Sequence, residues 1–154
     1  MPEHNYESIW EKTENIPWCA LVTTGRVGSD LFQSLLDSHP EIIVFNGALP
    51  FHTFWNNSFC VQSEQTFSAE DFMDEFIGNF IHKLKSKYDK MENKAFLGEN
   101  KDQSLAINLV LFRKHCIGLI QLKPLTSRYF LQAVYLSYSL CLNEDLDKKK
   151  IFFH

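Results

Sequence analysis

Apolar residues along this chain fall into short blocks, and the spacing within each block predicts its element. After a polar, mixed-charge opening (Met1–Thr13, within an extension over residues 1–16) the first block is Trp18-Cys19-Ala20-Leu21-Val22-Thr23. It shows no alternation, is opened by Pro17 and closed by Gly25, and so predicts a strand buried on both faces. Leu31, Phe32, Leu35 and Leu36 then recur on one helix face, and His39-Pro40 ends that helix because the residue before proline avoids the α region. Ile42-Ile43-Val44-Phe45 predicts a second buried strand, closed by Asn46-Gly47. Strand, glycine turn, helix, strand is a βαβ unit, which implies a parallel sheet covered by helices.

Residues 47–67 are aromatic and irregular, the pattern of a loop over a site or interface. Ser68 and Asp71 resemble a capping box, after which Phe72, Phe76, Phe80, Leu84 and Met73, Ile77, Ile81 lay two stripes along one helix. A third helix is predicted over about Asp102 to His115 and a fourth over about Ser127 to Leu142, the latter apolar nearly all round and therefore buried. Lys148-Lys149-Lys150 reads as a solvated run leading into a strand, Ile151-Phe152-Phe153-His154.

Composition narrows the classes. With 154 residues, 45% hydrophobic and 22% charged, the chain has the material for one core and not for two domains. A net charge of −4 lacks the basic footprint of a nucleic-acid binder. Cys19, Cys60, Cys116 and Cys141 are far apart with no metal-ligand spacing, which excludes a structural zinc site and fits a reducing, cytoplasmic compartment. The longest apolar stretch, Tyr129 to Leu142, is shorter than the roughly 20 residues a bilayer span needs, so no integral membrane segment is expected.

The candidate chemistry lies in Thr23-Thr24-Gly25-Arg26-Val27-Gly28-Ser29-Asp30-Leu31, between the first strand and its helix. Two glycines let successive N–H groups curl inward, and the helix start adds its unpaired donors and positive dipole end. Arg26 supplies a fork of donors, and Thr23, Thr24 and Ser29 supply hydroxyls, so the segment suits a phosphate or sulfate. The bland alternative is a tight turn whose glycines serve backbone geometry alone. A Walker A loop does not fit, because Gly-Lys-Ser/Thr is absent, and the Rossmann fingerprint fails at Leu31.

This loop, together with Leu35-Leu36-Asp37-Ser38-His39-Pro40-Glu41-Ile42, resembles the opening of the sulfotransferase family, whose donor is 3'-phosphoadenosine 5'-phosphosulfate (PAPS). The close resemblance covers about residues 18–47. It implies a three-layer αβα domain with a parallel sheet, P-loop NTPase-like and of the sulfotransferase type, over residues 1–154. It also implies that Arg26 contacts the 5'-phosphosulfate and assists departure of the phosphate, while Thr24, Gly25, Val27, Gly28, Ser29, Asp30 and Leu31 wrap that group. Val27 and Asp30 depart from the family's usual Ser and Thr/Ser, and Asp30 at an early helix position is suited to capping the helix or holding Arg26.

Sulfuryl transfer to a hydroxyl or amine also needs a base. His52 is the first candidate, on the loop leaving the second strand where parallel sheets hold ligands, with His39 and Glu41 more remote. Phe51, Phe54 and Trp55 read as core or as the lining of an acceptor pocket. The acceptor class implied is a small molecule, glycan or lipid, and no metal is called for. The Arg and Ser that bind the donor's 3'-phosphate in the family have no counterpart after Ile151–His154, so the domain is expected to be cut short at its C-terminus. Such a chain is either a transferase portion or a non-catalytic remnant that binds an anion or a protein partner, and an unfinished sheet leaves self-association open.

Overall fold

The computed structural model describes residues 5–22, 29–37, 39–62, 68–85 and 107–154. From Asn5 on, the polar opening is part of the fold and not an extension. Asn5 caps a helix, α1 (Tyr6–Thr13), by accepting from the Ser8 amide at 3.1 Å. Tyr6, Ile9, Trp10 and Thr13 form one stripe at helical spacing, and that stripe docks. Trp10 is buried and its indole donates to the Leu119 carbonyl at 2.9 Å, while Gln132 Nε2 donates to the Thr13 carbonyl at 2.8 Å. The Tyr6 hydroxyl lies 3.1 Å from His115 Nδ1.

The sheet has three parallel strands, β1 (Trp18–Cys19), β2 (Ile42–Val44) and β3 (Ile151–Phe153), in the order β1-β3-β2. Trp18 and Ile43 flank Phe152, and Cys19 and Val44 flank Phe153. Helices lie on both faces. Trp18 stacks on Phe152 and meets Tyr135 of α6 (Ser127–Cys141) edge-on, while Phe153 on the other face meets Phe32 of α2 (Ser29–Leu36). The mixed α/β architecture with a parallel sheet is therefore as predicted.

The first strand differs from expectation. Its ladder covers Trp18–Cys19, Cys19 is exposed, and Leu21 and Val22 are 41% and 89% exposed. The cause is position: among the described residues β1 has a neighbour on one side only and is covered on the Trp18 face only. Thr23, the predicted end of the strand, lies outside the described residues. β2 ends in Phe45-Asn46-Gly47, where Gly47 adopts φ +73° and Asn46 Nδ2 donates to the Lys83 carbonyl at 2.7 Å.

Residues 47–67 are not an irregular loop throughout, since Phe51–Gln62 is a helix, α3. Its Phe51, Phe54 and Trp55 pack around Phe130 of α6 with Phe72 and Phe76 of α4 (Ala69–Lys85), so the aromatic run serves the core. The predicted capping box opens α4: Asp71 N donates to Ser68 Oγ at 3.1 Å and Ser68 N donates to Asp71 Oδ2 at 3.2 Å. The third predicted helix is displaced. α5 covers Leu109–Ile120, starts where Asn108 accepts from the Leu111 amide at 3.1 Å, and runs past His115; residues 102–106 lie outside the described part. α6 is buried along nearly its whole surface, as predicted. Arg113 of α5 clamps Asp74 of α4 through two bonds of 2.5 and 2.8 Å.

The basic run before β3 is not solvated as a unit. Lys148 and Lys150 are exposed, but Lys149 is buried, and its ammonium donates to the carbonyls of Ile42 (2.8 Å) and His39 (3.1 Å) and pairs with Glu144 at 3.0 Å. Glu41 pairs with Lys150, and its backbone carbonyl accepts from the amides of Lys150 and Ile151. His39 Nδ1 accepts from the Glu41 amide at 3.2 Å. His39-Pro40-Glu41 therefore ties β2 to β3.

Candidate functional site

Open parallel sheets hold ligands at the carboxyl ends of their strands. Phe152 N donates to the Pro17 carbonyl, His154 N to the Cys19 carbonyl at 2.9 Å, and Leu21 N to the His154 carbonyl at 2.8 Å. The main chain of β1 is thus held against β3 until two residues before Thr23. Thr24, Gly25, Arg26, Val27 and Gly28 lie outside the described residues. α2 then begins at Ser29, so Ser29, Asp30 and Leu31 are its first turn; their side chains are outside the described part. The segment is bounded by a strand end and a helix start, the frame that the glycine reading requires.

His52 is corrected from a loop residue to the second residue of α3. It is exposed, and its ring lies 3.2 Å from Asn56 Nδ2 one turn later. Between α3 and α4 runs a cleft of about 230 Å³. Its floor is Phe54 and Phe80, and its rim carries Thr53, Asn57 and Asn79. Phe80 is also where α4 departs from helical geometry (φ −117°, ψ 16°). In the same cleft the buried Ser58 hydroxyl donates to the Glu75 carboxylate at 2.7 Å.

One residue at the sheet edge was not singled out by the sequence. His154 follows β3, is half-buried, and its Nδ1 lies 2.8 Å from the Tyr135 hydroxyl. Burial pushes the Tyr135 phenol far above its ordinary range and lowers the His154 imidazole below 6.5. Both groups are therefore neutral near pH 7. The only sequence signal was a histidine at the end of a predicted strand; its partner sits on a helix, out of reach of any local pattern.

Among the described residues no group of three or more His, Cys, Asp or Glu side chains is placed to hold a metal ion. No helix among them is long and apolar enough to cross a membrane. Cys19, Cys116 and Cys141 are free thiols. Comparison with protein-family models, with curated proteins and with solved structures finds no match to this chain.

Proposed function

We propose that this chain carries the 5'-phosphosulfate-binding part of a PAPS-dependent sulfotransferase, which transfers a sulfuryl group to a hydroxyl or amine. The observation that carries the reading is the frame of the glycine segment: β1 is hydrogen-bonded to the central strand as far as Leu21, and α2 starts at Ser29. A strand end, two glycines with an arginine, and a fresh helix N-terminus supply the donors that a phosphosulfate needs.

In this reading PAPS supplies the sulfuryl group, and the chain's residues bind and orient. Arg26 and the backbone of residues 24–31 neutralise the phosphate-side oxygens. His52 takes the acceptor's proton, being an exposed imidazole in the first turn of the helix that follows β2. The cleft that begins one residue beyond it presents hydroxyl and carboxamide groups above an aromatic floor, suited to a hydroxyl- or amine-bearing acceptor.

The test is thermal denaturation with 3'-phosphoadenosine 5'-phosphate. A ligand at a hundred times its Kd adds about 2.7 kcal/mol, so the melting temperature rises, and Arg26→Ala abolishes the rise. Equal stabilisation by ATP with magnesium favours phosphoryl transfer instead. No rise with either ligand defeats the donor-binding reading.

A further inference from the structure

We propose that the cleft between α3 and α4 is a binding site for a small organic cation, a protonated amine on a short apolar body. The first support is charge. The described residues lining the cleft carry one charged group, the half-buried Glu75 carboxylate, and include no Lys, Arg or His. Such a cleft attracts a cation and repels an anion.

The second support is the way the carboxylate is held. The Ser58 hydroxyl, 3% exposed, donates to Glu75 Oε1 at 2.7 Å. A carboxylate so fixed keeps further lone pairs for an N–H donor. One turn along α4, Asn79 Nδ2 donates to the Glu75 carbonyl at 2.9 Å, which leaves Asn79 Oδ1 as a neutral acceptor in the same lining. An ammonium brings three N–H donors and no acceptor, so it matches acceptors led by a carboxylate. Ser58 is a positioning residue, since it acts through Glu75.

The floor fits the rest of such a ligand. Phe54 and Phe80 are buried and meet edge-on with ring centroids 5.6 Å apart. Aromatic rings cover an apolar body, and their faces attract a cation within about 6 Å. At about 230 Å³ the cleft is smaller than a drug-sized pocket, so it takes a small amine and not a nucleotide. The cation's use as the anchor of a sulfuryl acceptor rests on the proposed function, and there the reacting group is a hydroxyl, because an ammonium has no lone pair. The cation site itself does not rest on it.

The experiment is an aromatic ¹³C NMR titration of the intact chain with 2-phenylethylammonium, and with 2-phenylethanol and phenylacetate as its neutral and anionic counterparts. The ammonium is expected to shift the Phe54 and Phe80 ring signals and to bind about tenfold or more tighter than the alcohol, the scale of one hydrogen bond to a charged group. Phenylacetate is expected to bind more weakly than either. Glu75→Gln keeps an oxygen for Ser58 and removes the preference for the ammonium, whereas Asn57→Asp adds a carboxylate to the lining and increases it. Ser58→Ala weakens the ammonium and leaves the alcohol unchanged, a split that lost packing does not produce. Equal affinity for ammonium and alcohol overturns the inference, as do ring signals that no probe moves and a preference that survives Glu75→Gln. A melting temperature raised by 3'-phosphoadenosine 5'-phosphate, without ammonium binding, removes the cation site and leaves the proposed function standing. Ammonium binding without any nucleotide effect upholds the cation site and defeats the donor-binding reading.

Discussion

The Lys149 ammonium donates to the Ile42 carbonyl oxygen at 2.8 Å, so a buried charge links the start of β2 to the chain entering β3. Lys149→Met keeps the apolar stem but strands the carbonyls of Ile42 and His39 and leaves Glu144 without its cation. The expected loss is about 2–3 kcal/mol of unfolding free energy in urea. Lys148→Met, at an exposed position, is expected to change stability by under about 0.5 kcal/mol. Similar losses for the two variants refute the tether.

Trp10 makes α1 part of the core. Trp10→Ala removes a buried indole and is expected to cost about 3–5 kcal/mol. Trp10→Phe loses the bond to the Leu119 carbonyl and some volume, for about 1–2 kcal/mol. Chemical denaturation followed by tryptophan fluorescence orders the two.

Two glycines should respond oppositely to alanine. A Cβ on Gly78 meets nothing within 4 Å, so Gly78→Ala is expected to stabilise α4 by about 0.5–1 kcal/mol. A Cβ on Gly118 strikes the Tyr6 ring, which is tied through its hydroxyl to His115, so Gly118→Ala is expected to lower the melting temperature despite its helix propensity. A gain at Gly118 shows that α1 moves aside at little cost.

His154 gives stability a defined pH slope. Its imidazole is lowered below 6.5 by burial, so the unfolded chain takes up a proton near pH 6.5 while the folded chain does not. This contribution is complete above about pH 6.5, is lost as pH falls below that value, and levels off under the folded pKa. His154→Gln should flatten the slope between about pH 6.5 and 5, before the carboxylates titrate. An unchanged slope assigns it to another group.

Short-range patterns carried much of the fold. The Ser68–Asp71 box was legible because both partners lie within one turn, and α6 because its apolar character is unbroken enough to need no phase. α1 was hidden by composition, since Glu7, Glu11 and Lys12 mask the stripe of Tyr6, Ile9 and Trp10. α3 was hidden within the irregular aromatic pattern of residues 47–67, although Phe51, Phe54 and Trp55 stand at helical spacing. The exposure of Leu21 and the burial of Lys149 were not legible at all. Each depends on which strand lies next to which, and Lys149 finds its carbonyls on a turn far back in the chain. At the site, the glycine segment was visible through residue type. The Tyr135–His154 pair was not, because two elements have to meet before it exists.

The strand order also imposes a sequence of events in time. Among the described residues β1 and β2 do not pair with each other; each pairs with β3, and Trp18 waits for Phe152 across nearly the whole described chain. On the ribosome, β1 and β2 emerge before β3, while α3 and α4 can already pack around Phe130 of α6. The helical side is therefore the locally built half, and the described strands can pair only once β3 has been made. Until residues 151–154 arrive, Trp18 and Ile43 are unmatched strand edges that a chaperone or another chain can engage.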